Sequence, residues 1–253
     1  MQAQRLESTL AKVPAITLGF WLLKIAATTL GETAGDAASM SLHLGYLTST
    51  LIFAALFATL VLAQIRASSF RPTLYWSTII ATTTVGTTLA DFADRSLGIG
   101  YAGGSSLLLA LLGASLLLWR RSTGSVAVGS VRSGKAEMFY WVTIMFSQTL
   151  GTALGDWSAD TAGLGYQGAA VVFGSALAVV ALMYWRTAAS RTALFWAAFI
   201  LTRPLGAVLG DFLDKPITSG GLELSRFAAS AVLLGAMVVA LRLLPQRAAA
   251  VAH

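Results

Sequence analysis

Apolar residues gather in eight runs along the chain, at about residues 14–31, 47–65, 75–92, 104–119, 138–157, 168–185, 193–213 and 224–244. A helix crossing the hydrocarbon of a bilayer needs about 20 mostly apolar residues. The pattern therefore predicts an all-α polytopic membrane protein with eight transmembrane helices. An outer-membrane barrel would instead read as short segments alternating apolar-out and polar-in, and that alternation is weak here. Two kinds of run alternate. The even-numbered ones, such as LIFAALFATLVLA and LLLALLGASLLL, have no ionisable residue in their middles and suit a lipid-facing outer layer. The odd-numbered ones carry polar residues at helical spacing and suit an inner ring.

The odd runs are copies of one another. Trp21, Trp76, Trp141 and Trp196 each stand ten residues before a glycine (Gly31, Gly86, Gly151, Gly206) and fifteen before an aspartate (Asp36, Asp91, Asp156, Asp211). A second glycine follows each tryptophan by 24 residues, at Gly45, Gly100, Gly165 and Gly220, and marks a turn. An arginine closes each unit, at Arg66, Arg121, Arg186 and Arg242. These spacings define four tandem two-helix repeats, 12–66, 70–121, 136–186 and 190–244, in one membrane domain of two pseudo-symmetric halves. The Ser- and Gly-rich segment 122–137 joins the halves and reads as a linker. An even number of helices per unit gives parallel repeats about an axis along the membrane normal.

Two stripes run along each odd helix. Gly31-x-x-x-Gly35, Gly86-x-x-x-Ala90, Gly151-x-x-x-Gly155 and Gly206-x-x-x-Gly210 set small residues one turn apart, a face on which helix backbones approach closely. Beside it lie Thr28, Glu32 and Asp36; Thr83, Thr87 and Asp91; Gln148, Thr152 and Asp156; and Arg203, Ala207 and Asp211, with Lys24 one turn deeper in the first helix. A charge at the bilayer centre costs ~2.5–3.5 kcal/mol on insertion scales, so this stripe should face protein or water. Lys24 with Glu32, and Arg203 with Asp211, are spaced to form charge-compensating pairs. The tryptophans fit either an aromatic belt at a membrane interface or core packing. The aspartates fit either helix caps or ligands. Asp94, Asp160 and Asp214 beyond them fit a solvated vestibule.

The chain is 56% hydrophobic and 11% charged, with a mean hydropathy of +0.74. The net charge of +6 would suggest nucleic acid in a soluble protein, but its distribution excludes that partner. Arg5, Lys12, Arg66, Arg71, Arg120, Arg121, Arg132, Lys135, Arg186, Arg191, Arg242 and Arg247 flank the helices on one side, which the positive-inside rule makes cytoplasmic, with both termini. Nine of the eleven carboxylates fall toward the other side, leaving Glu7 and Glu137 with the basic residues. Cysteine is absent, and His43 and His253 are the only histidines, which leaves no thiolate site and no ground for bis-histidine haem ligation. No Ser–His–Asp or zinc-protease signature is present, so the expected protein is not an enzyme.

The W-x9-G-x4-D unit, in FWLLKIAATTLGETAGD, FYWVTIMFSQTLGTALGD and FWAAFILTRPLGAVLGD, resembles a bacterial family of uncharacterised integral membrane proteins with four tandem two-helix repeats, each carrying a characteristic tryptophan. The resemblance covers about residues 12–244 and implies the topology above in a bacterial inner membrane. The run Glu32-Thr-Ala-Gly-Asp36 is also similar, more loosely, to the E-x-G-D signature of manganese and calcium exporters, with one extra residue and no following Lys-Thr.

The expected function is a transporter or channel for small cations. Its site is built from Glu32, Asp36, Asp91, Asp156 and Asp211, assisted by Thr28, Thr83, Thr87, Gln148 and Thr152, with Lys24 and Arg203 as counter-ions or coupling groups. Oxygen ligands suit a hard divalent cation (Mn, Mg or Ca), here as substrate. The alternatives are a proton-coupled carrier of a small organic solute, in which Arg203 binds a carboxylate or phosphate, and a non-transporting membrane scaffold. The partners expected are the lipid bilayer and the cation, and exposed small-residue faces could support a homodimer.

Overall fold

The structure, a computed structural model, describes residues 11–249; Arg5, Glu7 and His253 lie outside the described residues. Eight long helices account for most of it: α1 (Leu18–Asp36), α2 (Tyr46–Arg66), α3 (Pro72–Asp91), α4 (Tyr101–Thr123), α5 (Gly134–Asp156), α6 (Gly165–Arg186), α7 (Arg191–Asp214) and α8 (Arg226–Leu243). Their ends follow from local chemistry. Side-chain oxygens of Thr17, Ser133, Ser190 and Ser225 accept bonds from backbone N–H groups in the first turns of α1, α5, α7 and α8, and Pro72 opens α3 where its missing donor is not needed. The turn glycines Gly45, Gly100, Gly165 and Gly220 have φ of 74°, 75°, 63° and 86°, a conformation that side chains resist.

Helices α1, α3, α5 and α7 pack as a closed ring, each against the next and α7 back against α1. The repeat glycine makes this possible. A Cβ on Gly31 would collide with Thr83, one on Gly86 with Gln148, one on Gly151 with Arg203 and one on Gly206 with Thr28. Each glycine thus receives the residue seven positions after the tryptophan of the following inner helix, and the fourth receives that of the first. One turn on, the pattern recurs between Gly35 and Thr87, Gly155 and Ala207, and Gly210 and Glu32.

The even helices form the outer layer, and each covers the inner helix of the following repeat: α2 lies on α3, α4 on α5, α6 on α7, and α8 on α1. They turn Leu51, Ile52, Leu109, Leu118, Val171, Leu182 and Val232 outward. Five helices, α2, α4, α6, α7 and α8, are by length and composition apolar enough to cross a membrane. The other three, α1, α3 and α5, are diluted by the polar residues they direct inward. Their threonines remain compatible with an apolar interior because the hydroxyls bond to carbonyls three or four residues back, as in Thr83 to Ile80, Thr84 to Ile80 and Thr88 to Thr84.

At the tryptophan end the ring is sealed by aromatic side chains. Phe20, Tyr75, Tyr140 and Phe195, each one residue before a repeat tryptophan, pack against the tryptophan of the next repeat. Ring centroids lie 5.6 Å apart for Phe20 and Trp76, 5.7 Å for Tyr75 and Trp141, 6.3 Å for Tyr140 and Trp196, and 5.8 Å for Phe195 and Trp21. The Tyr75 and Tyr140 hydroxyls meet at 2.6 Å. Trp76, Trp141 and Trp196 are buried, so their role is core packing rather than an interfacial belt. The junction between the halves is packed over this end: α4 runs on to Thr123, α5 starts at Gly134, Val131 is buried, and Trp196 Nε1 donates to the carbonyl of Val126 at 3.0 Å.

At the aspartate end α1, α3 and α5 each pass directly into one widened π turn, at Ala37–Ser41, Phe92–Ser96 and Trp157–Thr161. In the fourth repeat Pro216 occupies the matching position and holds Lys215 extended, at φ −74° and ψ 156°, so α7 stops without one.

These contacts set the cost of a methyl group at each glycine. Gly86→Ala places its Cβ 2.9 Å from the Gln148 carbonyl carbon, backbone that cannot step aside. Thermal unfolding in detergent should show a loss of about 1–3 kcal/mol from overpacking. Gly235→Ala on α8, with nothing within 4 Å of its Cβ, should be neutral or gain roughly 0.5–1 kcal/mol from helix propensity. Equal effects at the two positions would show that the inner helices do not meet at the repeat glycines.

Candidate functional site

The ring brings the polar stripes of the four inner helices together in layers one helical turn apart. Nearest the aromatic seal are Lys24, Ile79, Ile144 and Phe199; then Thr28, Thr83, Gln148 and Arg203; then Glu32, Thr87, Thr152 and Ala207; and last Asp36, Asp91, Asp156 and Asp211. All sixteen are buried.

The Arg203 guanidinium occupies the centre. It donates to Glu32 of α1 at 3.0 Å, to the Thr87 hydroxyl of α3 at 2.7 Å, and to the Thr152 hydroxyl of α5. One side chain from α7 therefore touches every other inner helix, and a charge that would be costly alone is met by a carboxylate and two hydroxyls. The expected pairing of Arg203 with Asp211 does not form. Asp211 lies two turns along the same helix, whereas Glu32 stands beside Arg203 on the neighbouring helix α1. The pairing of Lys24 with Glu32 does not form either. Helical side chains lean toward the N-terminus, which carries Lys24 away from Glu32. Its ammonium lies 4.2 Å from the centre of the Phe199 ring and has no hydrogen-bond partner.

The aspartate layer is held by basic residues that the charge pattern along the sequence did not bring forward. Arg95 and Lys215 stand four residues after Asp91 and Asp211 and bond back to them, at 2.7 and 3.1 Å. Each also reaches the neighbouring repeat: Lys215 approaches Asp36 at 2.5 Å, and Arg95 approaches Asp156 at 3.8 Å. The first and third repeats have Met40 and Asp160 at that position. The fourfold acidic layer is thereby divided into two clusters, Asp91–Arg95–Asp156 and Asp211–Lys215–Asp36, each joining one half of the chain to the other. The i,i+4 spacing from each aspartate was the sequence signal for both.

Arg226 of α8 adds contacts to Asp214 at 3.3 Å and Asp36 at 3.8 Å. Asp214 is accordingly buried and ion-paired rather than part of a solvated vestibule; Asp94 is half-buried, and Asp160 is exposed. Burial pulls the Lys215 ammonium down, but Asp211, Asp36 and Asp214 outweigh it and hold its pKa well above the ordinary lysine range. Arg95 is likewise pulled down by burial and pushed up further by Asp91 and Asp156.

Carboxylate oxygens of Glu32, Asp156 and Asp211 lie within 4.8 Å of one another, as do those of Asp36, Asp211 and Asp214. Thr28 contributes less than its spacing suggests: its hydroxyl lies 2.9–3.2 Å from the carbonyls of Ile25, Lys24 and Thr202 and is committed to the backbone. Gln148 is buried with neither amide atom bonded. His43 is exposed on the turn after α1, with φ 55°.

A family model described as Repeat of Unknown Function (DUF347) matches the chain four times, over residues 19–70, 74–125, 139–190 and 194–247. No curated protein and no solved structure matches the chain.

The central ion pair is testable by substitution. Arg203→Met leaves the buried Glu32 carboxyl without its basic partner, a change that typically costs about 3–5 kcal/mol at a buried pair. Adding Glu32→Gln to the same chain should restore most of that loss in denaturant or thermal unfolding. Additive losses in the double variant would mean that the two groups do not interact.

Proposed function

The chain belongs to the family of that four-fold repeat, and on the geometry of its buried charges we propose that it is an integral membrane carrier that exchanges a small divalent cation, manganese-like in its ligand preference, for protons. All eight helices cross the bilayer of a bacterial inner membrane, with the tryptophan end and both termini in the cytoplasm. Support for the orientation comes from the loops. Arg66, Arg71, Arg120, Arg121, Arg132, Lys135, Arg186 and Arg191 lie at the tryptophan end, whereas the basic residues of the other end, Arg95, Lys215 and Arg226, are drawn into ion pairs.

The observation that carries the reading is the imbalance of buried charge around the acidic layer. Six buried carboxylates, those of Glu32, Asp36, Asp91, Asp156, Asp211 and Asp214, face four basic partners, Arg203, Arg95, Lys215 and Arg226. Two negative charges remain. One divalent cation or two protons would neutralise them, so exchange of one for the other leaves the buried charge unchanged. The Glu32, Asp156 and Asp211 oxygens offer the hard cation its ligands, all oxygen. Arg203, bonded to Glu32, is the internal cation with which the metal competes. The aromatic seal and the axial guanidinium obstruct a continuous pore, which favours a carrier over a channel.

Proteoliposomes with an inside-acid pH gradient should take up manganese with release of protons, and Asp156→Asn should reduce uptake at least tenfold while unfolding at nearly the wild-type temperature. Wild-type vesicles that move neither manganese, magnesium nor calcium would overturn the proposal. Because the chain has no cysteine, orientation can be checked by single replacements. A maleimide that cannot cross membranes should label His43→Cys in intact cells and Ser122→Cys only after lysis; the reverse pattern would invert the topology.

A further inference from the structure

Below Arg203 the axis holds polar groups that the acidic layer does not use. Lys24 is fully buried, and among the described residues its Nζ has no hydrogen-bond partner and no carboxylate within ion-pair distance. One layer above, Gln148 is fully buried with neither Nε2 nor Oε1 bonded, and Arg203, whose outer nitrogens are committed to Glu32, Thr87 and Thr152, keeps its Nε unbonded. These three side chains come from α1, α5 and α7 and occupy two adjacent layers of one axis, Gln148 and Arg203 sharing the second. A helical turn separates the layers by about 5.4 Å.

An ammonium removed from water without a counter-charge is among the most expensive groups a protein interior can hold. The Phe199 face, 4.2 Å from Nζ, offsets only part of that, since a cation–π contact is weaker than a counter-charge. The unsatisfied atoms are mainly donors: the Lys24 ammonium, the Gln148 NH2 and the Arg203 Nε–H. Unbonded donors in two adjoining buried layers call for an acceptor that carries negative charge. Ile79, Ile144 and Phe199 wall the same level with apolar surface, which limits the occupant to something compact.

We propose that the space on the axis between Lys24 and Arg203 binds a small monovalent anion, a halide or the carboxylate of a compact solute. Lys24 supplies the charge, and Gln148 and Arg203 Nε supply directional donors. The anion lies between the aromatic seal and the guanidinium, on the opposite side of Arg203 from the acidic layer. The site uses none of the carboxylates, so it stands even if the cation reading fails. An anion here would also give Arg203 a second partner, in competition with Glu32.

The test uses the purified full chain in detergent at fixed sodium concentration, with gluconate replaced stepwise by bromide in one series and by formate in another. The wild type should show a saturable rise in Tm with at least one of the two. A response to bromide alone assigns a halide, and a response to formate assigns a carboxylate. In Lys24→Met and Gln148→Leu the apparent affinity should fall at least tenfold while manganese titration is unaffected. Two variants are used because either could fail to fold, and the reading of one suffices. A wild type whose Tm is the same in all three salts, or a variant that responds as the wild type does, would overturn the proposal.

Discussion

Close approach of four helix backbones at one repeated glycine is the constraint from which the rest of the structure follows. Where Gly31, Gly86, Gly151 and Gly206 accept the side chains of Thr83, Gln148, Arg203 and Thr28, no methyl group has room. Helices drawn that near leave only one residue per helix per turn on the axis. The ring therefore has layers of four, and the stripe hydroxyls turn to nearby backbone carbonyls, while a charged residue there needs a partner on another inner helix. Lipid supplies no hydrophobic force between helices, so small residues and interhelical hydrogen bonds must do that work.

Fourfold geometry with a sequence that is only approximately fourfold has chemical consequences. The aromatic seal keeps the symmetry, because its job is packing and a Phe or Tyr serves equally well. The axis abandons it. One arginine can fill the centre where four could not, and Arg203 donates hydrogen bonds to all three other inner helices. At the aspartate end the symmetry falls to twofold, since only the second and fourth repeats carry Arg95 and Lys215. Both bridge to the adjoining half, so the two clusters hold the halves together at the end opposite the seal. In the exchange we propose, ions passing through the acidic layer would disturb those bridges and so couple occupancy of the site to the fit between halves.

Much of this was legible in the chain. The tryptophan, glycine and aspartate spacings identify the repeats, and the contrast between polar and apolar helices assigns the inner and outer layers. The small-residue register locates the face of closest approach. Partner choice was not legible. A stripe at i, i+4 and i+8 suggests pairs within a helix, as for Lys24 with Glu32 and Arg203 with Asp211, but the partners lie on other helices and are set by ring order. Nor does sequence reveal that each outer helix covers the following repeat, which determines that α8 closes on α1. Arg95, Lys215 and Arg226 escaped because basic residues at the aspartate end run against the overall charge asymmetry.

Closure of the ring between the first and last repeats can be tested by cross-linking. The Thr33 hydroxyl of α1 and the Ser230 hydroxyl of α8 meet at 2.8 Å, close enough for the corresponding thiols to join with little movement of the backbone. In a chain with no other cysteine, Thr33→Cys combined with Ser230→Cys should form an intramolecular disulfide on mild oxidation in membranes, seen as a reducible shift in gel mobility. Failure of both residues to cross-link while each thiol remains reactive to a membrane-permeant label would mean that the first and last repeats do not meet and the ring is open.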